Sequence, residues 1–152
     1  MGYWYYKLAA GVFLIAHSIV GNLGYIGHMP QPPVLIPLTL VIGAGLVNLY
    51  HYYLIRSQNN DISRPENLIK DKGLFRWVRH PMYFCDLWLY TGLALFPMSY
   101  ISLFILVTSF ISIFLLSEYE DQRMESAFGP EFSQWKSKTA LLIPGNSTER
   151  VT

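Results

Sequence analysis

The chain has 152 residues, of which 52% are hydrophobic and 14% charged, where soluble domains carry about 25% charged residues. Its net charge of +1 gives no concentrated basic face, which argues against a nucleic-acid binder, and mean hydropathy is positive at +0.28. A single cysteine, Cys85, excludes an intrachain disulfide and a multi-cysteine metal site.

A membrane span needs about 20 mostly apolar residues. Residues 3–26 form the first candidate, interrupted near its end by Gly21, Asn22 and Gly24. Its only charge is Lys7 and no small-residue cleavage site follows, so it reads as a retained helix and not as a signal peptide. Residues 33–55 are the clearest second span, 82–96 a shorter third and 99–117 a fourth. The expected fold is therefore all-α and membrane-integral, one domain of four transmembrane helices. A cytosolic loop and a C-terminal interfacial helix complete it, with Trp135 at headgroup depth.

Apart from Lys7, lysine and arginine fall in two polar stretches. Residues 56–81 carry Arg56, Arg64, Lys70, Lys72, Arg76 and Arg79; the tail after Ser117 carries Arg123, Lys136, Lys138 and Arg150. The turns "GHMPQPP" and "PMS" carry none, so the positive-inside rule places both termini and the middle loop in the cytoplasm.

Polar residues within the spans are His17, Asn48, His51 and Asp86. Ionisable groups in a span are functional candidates, but His51 and Asp86 lie near cytoplasmic helix ends, where water reaches them, and His17 suits a helix contact. The denser signal is a pairing. "RHPMY" opens the third span and "SEYEDQRMESAFG" closes the fourth, and the short connection around Pro97 makes these helices antiparallel neighbours. Arg79 and His80 are then expected within reach of Glu118, Glu120, Asp121 and Arg123. Such a set suits either an interfacial ion-pair cluster or a pocket for a zwitterionic ligand. No phosphate-cradling glycine loop, H-E-x-x-H or paired-carboxylate metal motif is present, and no metal site is expected.

The pattern "KGLFRWVRHPMYFCDLWLYTGLAL", followed by "EYEDQRMESAFGPEFSQWKSKTALLIP", resembles the membrane-integral methyltransferases. That group includes isoprenylcysteine carboxyl methyltransferases and phospholipid methyltransferases. The shared residues here are Gly73, Phe75, Arg79, His80, Pro81 and Tyr83, then Glu120-Asp121, Phe128-Gly129, Glu131-Phe132, Trp135 and Ile143-Pro144. The resemblance implies S-adenosylmethionine as methyl donor, held at the cytosolic membrane edge. Its contacts would be Asn67, Leu68, Ile69, Lys70, Phe75, His80, Pro81, Met82, Tyr83 and Glu120. In that reading Glu120 takes the ammonium by a charge-assisted bond. Arg79, or the backbone N–H groups opening the third helix, takes the carboxylate. The donor is already activated, so the protein mainly aligns the reactants and excludes water; where the acceptor must lose a proton, His80 or Glu120 serves as base.

Three residues depart from the family pattern: Cys85 stands where glycine is usual, Phe75 where tyrosine is commoner, and Leu116 where prenylcysteine enzymes carry the arginine that holds the substrate carboxylate. The expected acceptor is thus a lipophilic or amphiphilic molecule taken from the bilayer, other than a prenylcysteine carboxylate. The rival readings are a small four-helix transporter with Asp86 as its coupling carboxylate and a non-catalytic membrane subunit.

Overall fold

The computed structural model describes residues 2–22, 29–58 and 68–143. Among them are five α-helices and no strand: α1 Gly2–Asn22, α2 Leu35–Ser57, α3 Pro81–Leu95, α4 Tyr100–Phe128 and α5 Pro130–Lys138. A 3-10 turn, Gly73–Arg76, precedes α3. The helices divide into two compact units.

The first unit comprises Met1–Leu46 and Cys85–Leu116. Its helices meet where side chains are small or where a polar group finds a partner. Gly92 in α3 is one such approach: a Cβ there would lie 2.9 Å from the backbone oxygen of Pro37 and 2.8 Å from Val41. Ser18 on α1 donates to the carbonyl of Leu93 at 2.8 Å, and Tyr90 on α3 donates to the carbonyl of Lys7 at 2.7 Å. The connection into α4 is closed by a reciprocal cap. Ser102 N–H donates to Ser99 Oγ at 3.1 Å, and Ser99 N–H to Ser102 Oγ at 3.0 Å, which satisfies two donors a helix start leaves open. His17 shares that cap, its Nε2 2.8 Å from Ser99 Oγ, in keeping with a helix contact.

The second unit comprises Val47–Phe84 and Ser117–Thr152. Phe75, Phe132 and Trp135 are its buried aromatic centre, with Ile55, Leu68, Ile69, Met124 and Phe128 packed around them. Trp135 is 8% exposed, so its indole lies in a protein core, packed among side chains and not facing outward. The reason is the turn at Gly129. Its φ of +55° ends α4, Pro130 starts α5 at once, and the short helix folds its apolar residues onto Phe75.

Two helices, α2 and α4, are long and apolar enough to cross a membrane. In α1 the apolar stretch Tyr5–Gly21 is shorter, and α3, with 15 residues, rises only about 22 Å against a hydrocarbon core of about 30 Å. The four expected spans thus correspond to four helices, of which two meet the length criterion for crossing. Helix α4, at 29 residues, is about 43 Å long, so its charged last third, after Ser117, projects beyond the apolar stretch.

Candidate functional site: a buried carboxylate beside an accessible one

The second unit gathers the residues that the sequence singled out. The 3-10 turn sets their frame. Gly73 adopts φ +56°, and a Cβ on it would stand 2.7 Å from His51 Nε2, so both conformation and space call for glycine. His51 is 1% exposed, with Nδ1 2.8 Å from the carbonyl of Val47. Its Nε2 accepts the Leu74 N–H at 2.9 Å, which fixes the neutral tautomer with the proton on Nδ1. His51 is thereby a structural strut that orients the turn and, in edge contact, the Phe75 ring.

The chain then runs beside the segment that follows α5. Arg79 N–H donates to Ala140 O at 2.9 Å, His80 N–H to Leu141 O at 3.2 Å, and Ala140 N–H to Trp77 O at 3.1 Å, which makes an isolated parallel bridge between Val78 and Ala140. The N–H groups of Arg79 and His80 are consequently spent on the protein and not offered to a ligand.

The side chains divide by role. Asp121 is fully buried and accepts Arg79 Nε at 3.0 Å and His80 Nε2 at 2.8 Å, with Lys136 Nζ at 3.8 Å. Burial works to raise its carboxyl, but the hydrogen bonds and charges of His80 and Arg79 outweigh it and hold the group below the usual carboxylate range. Arg79 also donates to the carbonyls of Lys136 and Thr139. Its guanidinium is committed to Asp121 and to the end of α5, so the structure gives it an anchoring position. Glu118 and Arg123, expected in the same cluster, are not partners of Arg79 or His80 among the described residues.

Glu120 differs from its neighbour in one respect that matters. Its side chain is 36% exposed. Tyr83 donates to its Oε1 at 2.6 Å, and its Oε2 lies 3.6 Å from His80 Nδ1, too long for a hydrogen bond. The rings of His80 and Tyr83 stack, 5.5 Å between centroids and 18° between planes. This triad presents a carboxylate already oriented, yet open to a further donor.

The remaining predicted residues are placed as follows. Pro81 and Met82 open α3 beside this triad. Phe75, Leu68 and Ile69 belong to the aromatic core, and Lys70 pairs with Glu131 at 2.5 Å. Asn67 and Pro144 lie outside the described residues. Asp86 belongs to the first unit, where it pairs with Lys7 at 2.6 Å, so it is an ion-paired helix contact. No group of three or more potential metal ligands occurs among the described residues. Sequence reasoning missed His51 as the support of the turn. The signal for it was Gly73, whose motif position demands a close neighbour.

Apolar helices, two of them long enough to cross a bilayer, and a connected charged cluster in one unit are the features that a helical membrane protein with a polar site would show. A family model described as phospholipid methyltransferase matches residues 34–131. The match spans well over half of the chain, which belongs to the phospholipid methyltransferase family, a family of methyltransferases. No curated protein and no solved structure matches it.

Proposed function

We propose that this protein transfers a methyl group from S-adenosylmethionine to a lipophilic or amphiphilic acceptor drawn from the bilayer. The observation that carries the reading is the Tyr83–Glu120–His80 arrangement inside the family-matched stretch. The donor set fits the zwitterionic cofactor: a part-exposed carboxylate for its ammonium, and aromatic faces for its cationic and purine parts. When bound, that cofactor supplies an activated methyl on a sulfonium. Glu120 holds the ammonium, Tyr83 holds Glu120 in place, and Asp121 with Arg79 fixes the helix ends that carry them. His80 keeps its Nε2 proton on Asp121; its Nδ1 edge and Glu120 are the groups able to take a proton where the acceptor is an amine or thiol.

The membrane arrangement proposed with it has α1 to α4 all crossing, both termini and the loop around Asn60 on the cytoplasmic side. Cysteine labelling in a Cys85→Ser background checks this. An impermeant reagent outside intact cells is expected to modify Gln31→Cys and not Asn60→Cys; the opposite pattern rejects the orientation.

Leu116 is 5% exposed and offers no charge to a carboxylate, so a prenylcysteine is a poor acceptor and an uncharged or cationic-headed lipid a better one. The decisive experiment is calorimetry with the purified protein in detergent, followed by labelled-methyl transfer to phosphatidylethanolamine, an alkyl thiol and farnesylcysteine side by side. Glu120→Gln is expected to weaken cofactor binding by about 1.5–3 kcal/mol, the scale of a hydrogen bond to a charged group. Equal affinity in wild type and variant removes Glu120 from the site, and turnover of farnesylcysteine alone overturns the reading from Leu116.

A further inference from the structure

A single exposed tryptophan is ordinary on a protein surface and carries no meaning by itself. Trp77 is 52% exposed, but its setting has three further features. The first is rigidity. Its N–H donates to Leu74 O at 2.9 Å, its carbonyl accepts the Ala140 N–H at 3.1 Å, and the next residue, Val78, is fully buried. A backbone tied on both sides presents the indole in one place. The second is charge. The Arg76 guanidinium lies 4.5 Å from the centroid of the Trp77 ring, a cation–π stack that leaves its in-plane N–H groups able to bind an anion. Arg76 and Lys72 are both exposed, and neither has an acidic partner among the described residues. Other lysines of the same unit differ, since Lys70 pairs with Glu131 and Lys136 with Glu125. The third is position. Trp77 lies four residues before Pro81, where α3 begins. That helix is about 8 Å shorter than the hydrocarbon core, and a short span is accommodated by local thinning and by flanking residues that reach the interface. Tryptophan and arginine are the residue types such a boundary takes.

Two cations without acids beside an outward indole match an anion that also has an apolar part. We propose that Trp77, Arg76 and Lys72 form a binding surface for acidic phospholipids of the leaflet that α3 enters at Pro81. The indole lies among the glycerol and upper acyl groups, and the two cations take headgroup phosphates by charge-assisted bonds. None of the three residues belongs to the Tyr83–Glu120–His80 arrangement, which sets this surface apart from the reaction. The inference rests on the reading that α3 crosses the bilayer and not on the identity of the cofactor or the acceptor.

The test uses the full chain in vesicles of phosphatidylcholine and phosphatidylglycerol, with bromine quenchers carried on the acyl chains of one lipid or the other in turn. The Trp77 emission is the wild-type signal minus that of Trp77→Phe, a change at an exposed side chain. Trp88, 46% exposed and seven residues beyond Pro81, about 10 Å along α3, is isolated the same way through Trp88→Phe as the deeper reference. Bromines near the headgroup end of the chains are expected to quench Trp77 more than bromines near the chain ends, and Trp88 shows the reverse order. At equal lipid composition, bromines on phosphatidylglycerol are expected to act as if that lipid were enriched about fivefold at Trp77, the scale of one cation at an acidic membrane. Arg76→Gln with Lys72→Gln removes the enrichment and leaves Trp88 unchanged. Equal quenching by the two brominated lipids in the wild type overturns the proposal. So does a Trp77 signal that is quenched by acrylamide from the water and by neither lipid. A Trp77 signal shielded from acrylamide and from both lipids means that a protein surface covers it, and the proposal fails on that result too. Should Trp77→Phe not fold, the double cation variant decides, because it keeps all four tryptophans and its lipid preference is read on total emission. Trp88 untouched by any lipid bromine rejects the crossing of α3, whereas Trp88 quenched and Trp77 not rejects this surface alone.

Discussion

The two units use polar groups in opposite ways. In the first, polar contacts link neighbouring helices: Lys7 to Asp86, Ser18 to Leu93, His17 to Ser99. Around these links the surface is apolar and open, with Val12, Ile15, Leu46, Phe104 and Val107 all exposed, as Leu49, Tyr53 and Trp77 are in the second unit. Apolar side chains facing outward along helices of this length suit lipid as solvent, where each backbone group is already satisfied within its helix. In the second unit the polar groups form one connected set. Arg79, His80, Lys136, Asp121 and Glu120 share partners, beside a small aromatic core of Phe75, Phe132 and Trp135. Isolated links hold helices together, whereas a connected set holds a carboxylate in a defined pose. The difference separates a scaffold from a site.

Asp121 gives the largest expected effect of breaking that set. Removing one partner of a buried pair leaves the other uncompensated, at a cost of about 3–5 kcal/mol. Asp121→Ala strands Arg79 and His80 together, so a loss of that size is expected by denaturant unfolding, with cofactor binding lost as well. A loss under about 1 kcal/mol would mean that Asp121 does not organise the unit. The pH dependence follows from the same group. Its folded carboxyl lies below the ordinary range, so its stabilisation is complete above the unfolded value of about 3.9 and is lost as pH falls through the folded one. The wild-type melting temperature is therefore expected to fall more steeply below about pH 4 than that of Asp121→Asn, and parallel acid limbs would contradict the assignment.

A second, smaller break targets the frame and not the charges. Gly73→Ala introduces a Cβ at a positive φ and 2.7 Å from His51 Nε2. Left-handed strain and overpacking together are expected to cost roughly 2–4 kcal/mol. Because His51 is packed and hydrogen-bonded on both ring nitrogens, it has little room to yield. His51→Ala combined with Gly73→Ala should recover part of the loss, since the clash disappears and the φ strain stays. A double variant as unstable as the sum of the singles would show that the close approach is not the cause.

How much of this was legible in the sequence depends on the range of the interaction. Helices α2, α3 and α4 were readable because long apolar runs and breakers are local signals, and the stop at Gly129-Pro130 was equally local. The antiparallel meeting of "RHPMY" with the acidic pair was legible from one short connection, and Tyr83–Glu120 and His80–Asp121 are its realisation. Which acid would be buried was not legible, because Glu120 and Asp121 are adjacent and their fates are set by helix rotation of one residue. Nor was the capture of Arg79 by the carbonyls of Lys136 and Thr139, which depends on α5 folding back from more than fifty positions away. The same fold-back explains why Trp135, read as an interfacial residue from an amphipathic-looking tail, is a core residue.

The smallest predicted effect concerns the first unit, and its sign carries the information. Gly43 lies within α2, and a Cβ added there meets nothing within 4 Å. A helical glycine facing open surroundings costs conformational entropy without any packing return, so Gly43→Ala is expected to stabilise by about 0.5–1 kcal/mol. Gly92→Ala is the matched opposite. Its Cβ would press on the Pro37 backbone at 2.9 Å, which cannot swing aside as a side-chain tip can, so it should destabilise. Both substitutions add one methyl group to a glycine of an apolar helix, and helix propensity predicts the same sign for both. Only neighbours distinguish them. Thermal unfolding of both variants in the same detergent therefore tests whether the Gly43 face of α2 looks onto solvent lipid. Stabilisation by Gly43→Ala with loss at Gly92→Ala supports that face as lipid-exposed, and a comparable loss at both positions would mean that the Gly43 face is packed against another protein surface.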